Sequence, residues 1–569
     1  MSPKPRPLAL HPKQSSRRSF LTLTALTAAG VPVVAGCRLS RAGSGGGGGV
    51  SGGGGAGSSG AASPAPDGWQ DLDGHLLGHR VSVRVSPLVR VSEEATALVL
   101  ELTRAADDAA VADVQSSESG SDDSDNTVYA STSLGRPLPA RGASGVRLID
   151  TAGAGRVWTA GSASGGTLEL KPGETVSSTV VFAPVDLDEV TVLVPQTGFV
   201  RVRVIDRDAA ADVGVSSEAL GKADKIIQDN SGPGDKAAVV PLERYTRALD
   251  DSTGTRTTDK DVTVTLASDV TFDSDSYNLT AAADAQLQTV ADQIAQYPDG
   301  GNLDIVGHTD DVADNAHNQT LSENRAGTVK DRLGQLADLA KWQITTTGKG
   351  ETEPAINDTT DEARAANRRV AITITPTSGT TAKQPGTTGT ATPPAPPASD
   401  TGLPEAQGPV GTGPDGVTVP GPDGKGQITI TLDHVTRNGG LLTAQLTITT
   451  GPGGTDDATL TTWLKDPAQA FASSRGENGG ASAVGIANGL TLLADGQRLY
   501  PTDYLPPDST WHHPLTELYT YKPLKEGATT TICVAWPDTA QDTLTLDHPP
   551  TKNSNQYAYR LTNIPVITA

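Results

Sequence analysis

The sequence predicts a multidomain protein with a central α/β domain, a four-strand mixed sheet with helices, flanked by two antiparallel β-sandwich domains. Three observations carry this. Both flanks show period-2 alternation with β-branched runs and no helical period. The middle switches to strands interleaved with apolar residues three and four apart. Gly/Ser-rich and Pro/Thr-rich stretches separate the blocks. A chain of 569 residues suits several units of ordinary size, and its 63 Gly and 39 Pro leave ample linker between them.

Residues 1–36 read as an export signal. A basic stretch with Lys4, Arg6, Lys13, Arg17 and Arg18 precedes a mildly apolar run from Phe20 to Val34, too short and Thr/Ala-rich for a membrane span. Ser16-Arg17-Arg18-Ser19-Phe20-Leu21 resembles a twin-arginine signal, and Val34-Ala35-Gly36-Cys37 resembles a lipobox. Their order implies cleavage before Cys37 and a diacylglycerol on its thiol. Residues 37–66, nearly all Gly, Ser and Ala, form a flexible tether behind that anchor.

The first flank, 67–207, alternates in Arg80-Val81-Ser82-Val83-Arg84-Val85 and has β-branched runs at 97–102, 179–182, 190–194 and 200–205. An acidic insert, Ser116 to Asn126, is too polar to pack and is expected as a loop. Residues 208–256 are expected as an irregular connector, and 377–424 as an extended Pro/Thr/Gly-rich linker. The last flank, 425–569, reads like the first, with strands at 427–432, 441–449, 529–534 and 543–546. A strand, a Lys-Pro turn (Lys171-Pro172, then Lys522-Pro523), a strand and a Pro-containing corner recur in both flanks. Both resemble the immunoglobulin-like modules of exported lipoproteins. With Cys37 lipidated, Cys533 has no disulfide partner; inside Thr531-Ile532-Cys533-Val534-Ala535-Trp536 it is a small buried hydrophobe.

The middle region, 257–376, has a strand at 262–266, a helix at 280–297, a strand at 303–306 and a helix at 321–336. Strands at 344–347 and 370–374 complete the sheet. Gly307-His308-Thr309-Asp310, then Asn318, Leu321-Ser322, Arg325-Ala326 and Val329, resemble the OmpA carboxy-terminal domain family. So do Phe272-Asp273-Ser274 upstream, Gly348-Lys349-Gly350-Glu351 with Pro354, and Asn367-Arg368-Arg369-Val370. The resemblance covers about a fifth of the chain. It implies non-covalent binding of peptidoglycan through the diaminopimelate residue of the stem peptide, with Asp310 and Arg325 as the ligand-gripping pair. It also implies that Asn318, on the connecting loop, helps shape or line the ligand site, and that one of the paired Arg368 and Arg369 helps bind, here Arg368, while the other faces solvent. Ala313 stands where the family often has Gly, which puts the depth of the pocket in question.

The chemistry is coherent in itself. A diaminopimelate end carries an ammonium and a carboxylate on one carbon, and one fixed acid with one guanidinium is the smallest complementary pair. Asp310 on the loop after a strand and Arg325 one turn into the next helix can converge there. His308 and His317 with Asp310 and Asp311 lack a metal-site spacing, so no metal and no cofactor is expected. No nucleophile elbow, P-loop, dinucleotide fingerprint or framed Cys/His pair occurs, and no enzyme activity is expected. A net charge of −22 argues against nucleic acid as a partner, since its phosphates need clustered Lys and Arg.

The expected partners are peptidoglycan and, through Cys37, the membrane, with an unidentified protein partner open for the β-sandwiches. The expected location is the extracytoplasmic face of the cell membrane, in contact with the wall. The competing reading is an envelope lipoprotein whose β-sandwiches bind a solute or protein while the central domain only positions them.

Overall fold

In the computed structural model the described residues are 67–108, 127–134, 142–151, 155–229, 237–380, 402–421, 424–455, 460–465, 487–507, 509, 512–516, 524–550 and 556–568. The export signal, Cys37, the tether, the acidic insert, linker residues 381–401 and the second Lys-Pro turn lie outside them. The chain is multidomain and built mostly of strands. No helix among the described residues is long and apolar enough to cross a membrane.

In the amino-terminal β region, Gln70–Leu76, His79–Val85, Ala95–Arg104 and Thr175–Phe182 pair antiparallel. Arg147–Ile149, Glu189–Val194 and Gly198–Asp206 form a second antiparallel set. His79–Val85 buries every second residue, as its alternation requires. Its Val81, Val83 and Val85 share one core with Leu148, Trp158, Val192 and Val202 of the second set.

Strand direction departs from the antiparallel expectation in three places. Val204–Asp206 runs parallel to Leu88–Arg90, Val410–Thr412 to Arg560–Thr562, and Val435–Arg437 to Val566–Thr568. Period-2 alternation reports which face is buried and is blind to the direction of the neighbouring strand. Strands Val410–Thr412 and Val417–Pro420 also shorten the expected linker, since both already belong to the carboxy-terminal β region.

The middle region holds the four expected strands, Val262–Ala267, Gly301–Gly307, Trp342–Gly348 and Arg369–Pro376. Arg369–Pro376 lies between Val262–Ala267 and Gly301–Gly307, antiparallel to both, and Trp342–Gly348 adds to the edge in parallel. Helices Ala283–Ala295 and Asn315–Leu336 cover one face. Leu287, Val290, Ile294, Val329 and Leu333 meet Val264, Leu303, Ile305 and Ile372 in its core.

The described residues of the segment expected as an irregular connector, 208–229 and 237–256, are ordered. Helix Ser217–Asp229 packs Leu220 and Ala223 against Val89, Val99 and Val181 of the amino-terminal region. Its Ala and Leu spacing is helical, but Gly221 and the polar residues between hide the stripe. The strand Ala238–Ala248 then bridges all three regions. It pairs with Arg156–Thr159 of the first, Thr253–Thr257 leading into the second, and Gln497–Leu499 and Asp503–Tyr504 of the third.

Around this bridging strand the two β regions dock on each other. Ile149, Val157 and Leu193 pack with Val240, Leu242, Leu441, Tyr504, Leu515, Cys533 and Ala535. Asn438 Nδ2 donates to Thr191 Oγ1 (3.0 Å), Gln196 Nε2 to Thr530 Oγ1 (3.0 Å), and Arg147 Nε to the Tyr504 hydroxyl (2.6 Å). The carboxy-terminal β region, although reached through the Pro/Thr/Gly-rich linker, is therefore seated on the first. Burial here pushes the Cys533 thiol up to about 12, so it is an inert packing group as expected.

Candidate ligand-binding site

The site forms where the strand Gly301–Gly307 runs out and the helix Asn315–Leu336 begins. Asp314 caps that helix, accepting from the backbone N–H groups of Ala316 (3.1 Å) and His317 (3.0 Å). Gly307 and Gly348 are partners on adjacent parallel strands, and both lie under Ser322 of the helix. Only glycine leaves room for the helix backbone there. That close approach sets the depth of Arg325, one turn further on.

Arg325 is 4% exposed. Its guanidinium carbon lies 5.1 Å from the centre of the Phe272 ring, and its Nε donates to the Ser276 carbonyl (2.9 Å). Its two terminal nitrogens carry no hydrogen bond among the described residues and stay in contact with solvent. The fork is thus fixed from behind and open in front. Burial lowers the Arg325 pKa from its usual value, opposed by the charges of Asp269, Asp275 and Asp310 and reinforced by Arg368.

Asp310 has both carboxylate oxygens held. Oδ2 accepts from Arg368 Nη1 (2.7 Å) and Oδ1 from the Val312 backbone N–H (3.2 Å). Arg368 also forks onto Asp269, through Nε (2.7 Å) and Nη2 (2.6 Å). The two carboxylates raise the Arg368 pKa further, with Asp269 the larger influence. Arg368 is thereby a positioning residue that braces Asp310.

Asn318 is buried beneath the loop. Its Nδ2 donates to the carbonyls of Asp310 (3.1 Å) and Ala313 (3.3 Å) and to Glu351 Oε2 (2.6 Å). It therefore holds the Asp310 loop to the Gly350-Glu351 turn. Ala313 does not have a positive φ, so this loop needs no glycine at that position.

Arg369 is half-buried rather than solvent-facing. It donates to the carbonyls of Glu353 and Asn367, and burial brings its pKa down to about 10. The structure does not gather His308, His317, Asp310 and Asp311 round one point. His317 Nε2 pairs with Asp275 (2.8 Å), Asp311 with Arg364 (2.7 Å), and His308 is buried.

Sequence reasoning missed Asp269 and Ser276. Neither has a pattern that announces it: one anchors Arg368 from a short helical turn, and the other contributes only a backbone oxygen. Phe272 was legible as part of a motif, but its place beneath Arg325 was not.

The fold is that of a small α/β module with an acid–arginine cluster at one end of its sheet, embedded in a larger β-rich chain. The OmpA family model matches residues 271–368. Porin F of Pseudomonas fluorescens is 38% identical over 106 residues, covering 19% of this chain and 32% of that protein. The lipoprotein YfiB of Escherichia coli strain K12 is 32% identical over 110 residues, 19% of this chain and 68% of that protein. Among solved structures, the peptidoglycan-associated lipoprotein from Burkholderia pseudomallei is 28% identical. It covers 18% of this chain and 86% of that one, with a TM-score of 0.16. The chain belongs to the OmpA family. It spans about a third of porin F.

Proposed function

We propose that this protein holds the cell wall non-covalently by gripping the zwitterionic end of a diaminopimelate residue in peptidoglycan. The observation that carries this reading is the Arg325 fork, fixed by Phe272 and Ser276 with its two terminal nitrogens open. A carboxylate docks on that fork with two parallel bonds. The ammonium on the same carbon adds to Asp310, whose oxygens keep acceptor capacity beyond the bonds from Arg368 and Val312. Membership of the OmpA family supports the same ligand. The role is binding without a chemical step.

The wider reading is a membrane-to-wall tether. Lipid on Cys37 holds the chain at the extracytoplasmic face of the membrane, and the Gly/Ser tether behind it spans roughly 30 Å as a random coil. Two attachment points raise the effective concentration at the wall, so a weak wall affinity suffices. The immunoglobulin-like layout of the two β regions belongs to this reading, as does twin-arginine export. Because the regions dock round the bridging strand, they travel with the wall-binding module as one body rather than as separate displays. Pull-down of the full chain on purified peptidoglycan, beside its Arg325→Ala variant, tests the wall contact. Retention of a folded Arg325→Ala variant at the wild-type level would overturn it.

A further inference from the structure

Glu243 on the bridging strand and Asp503 on the strand Asp503–Tyr504 are direct cross-strand partners. They are only 7% and 2% exposed. Like charges facing each other across a ladder repel, so a cation shared by the two carboxylates is favoured there. A third donor reaches the same place: His512 Nε2 lies 3.0 Å from Glu243 Oε1. Arg256 approaches the other oxygen of Glu243, Oε2, at 3.4 Å, leaving Oε1 towards His512. One ligand atom from each of Glu243, Asp503 and His512 lies within 4.8 Å of the others.

We propose that Glu243, Asp503 and His512 bind one divalent first-row transition cation, with Zn2+ the best match. Two carboxylate oxygens and one imidazole nitrogen are a borderline donor set that suits such an ion, whereas Ca2+ asks for six to eight oxygens. Two carboxylates offset the dication and the imidazole binds neutral, while Arg256 stays on the outer oxygen of Glu243. Donors about 2.0–2.1 Å from a tetrahedral zinc stand about 3.3 Å apart, close to the His512–Glu243 separation. The widest pair closes by rotation of a carboxylate. Bound there, the cation cross-links Glu243 of the bridging strand to Asp503 and His512 and so locks the carboxy-terminal β region onto the strand that leads into the wall-binding module. This site is separate from the Asp310 pocket and does not rest on the wall-binding reading.

The test is titration of the chelator-treated full chain with Zn2+ alone, followed by calorimetry, with Co2+ as a spectroscopic probe. The expected result is one saturable equivalent, a visible Co2+ band of tetrahedral intensity, and a higher Tm with the metal than without. His512→Gln and Asp503→Asn are expected to weaken Zn2+ binding at least ten-fold, while His513→Gln and Asp310→Ala leave it unchanged. His512 is at the rim of the cluster, so His512→Gln reports on binding even where Asp503→Asn fails to fold. No saturable binding by the full chain, or undiminished binding in a folded His512→Gln variant, would overturn the proposal.

Discussion

A Cβ placed on Gly307 would fall 2.2 Å from the carbonyl oxygen of Ser322. The strand that delivers Asp310 and the helix that delivers Arg325 are therefore in backbone contact. The separation of Asp310 and Arg325 is set by this contact more than by the loop between them. Gly307→Ala must push the helix away, and overpacking of this kind costs about 1–3 kcal/mol. The variant is expected to melt earlier and to bind peptidoglycan more weakly than its loss of stability explains, by denaturant titration and pull-down at matched folded fraction. Wild-type stability would mean that the helix is not seated as described.

Arg325→Ala leaves the ligand carboxylate without its partner, and loss of such a charge-assisted bond costs about 1.5–3 kcal/mol, or roughly 10- to 100-fold in affinity. Arg325→Lys is expected to recover only part of this. A lysine keeps the charge but offers neither the fork nor the flat face that lies over Phe272. Binding curves for a soluble diaminopimelate-containing peptide would show the order wild type, lysine, alanine. Equal affinity of the lysine variant would remove the bidentate contact from the mechanism.

Truncation after residue 380 uncovers Ile149, Val157, Leu193, Val240 and Leu242, which pack against the carboxy-terminal region. The shortened chain is expected to lose stability and to bind a hydrophobic dye, in contrast to the independence that its long linker suggests. A truncated protein with unchanged Tm and no dye binding would show that this contact contributes nothing.

Burial lowers the pKa of His308 and of His548 from 6.5 to about 4. Below pH 6.5 the unfolded chain takes up protons at these positions while the folded chain does not, so stability falls with pH. Their contribution is fully present above about pH 6.5 and disappears as pH drops through about 4, on the order of 3 kcal/mol for each group. Urea midpoints measured from pH 7 to pH 4 should decline, and His308→Gln should flatten part of that decline. A variant with the wild-type slope would show that His308 is protonated in the fold.

Lipid on Cys37 predicts that Cys37→Ser releases the exported chain or leaves it held by an uncleaved signal. Mass spectrometry of the membrane-bound mature protein is expected to find a diacylglycerol-modified amino terminus. An unmodified cysteine there would leave the tether without its membrane end.

The sequence by itself determined the local layer. Alternation placed Val81, Val83 and Val85 on a buried face, helical spacing placed Val329 and Leu333 on one stripe, and ordered motifs singled out Asp310, Asn318 and Arg325. These are short-range consequences of side-chain periodicity and of chemistry carried by single residues. What only the tertiary structure decided is everything set by partners distant in the chain. Asp269 braces Arg368 across 99 residues, Ser276 holds Arg325 across 49, and the bridging strand pairs Glu243 with Asp503. The same holds for the docking of the two β regions. Apolar residues such as Leu193 and Leu441 have the same hydrophobicity whether they fill their own region's core or the seam between two, and only the folded chain shows which surface covers them.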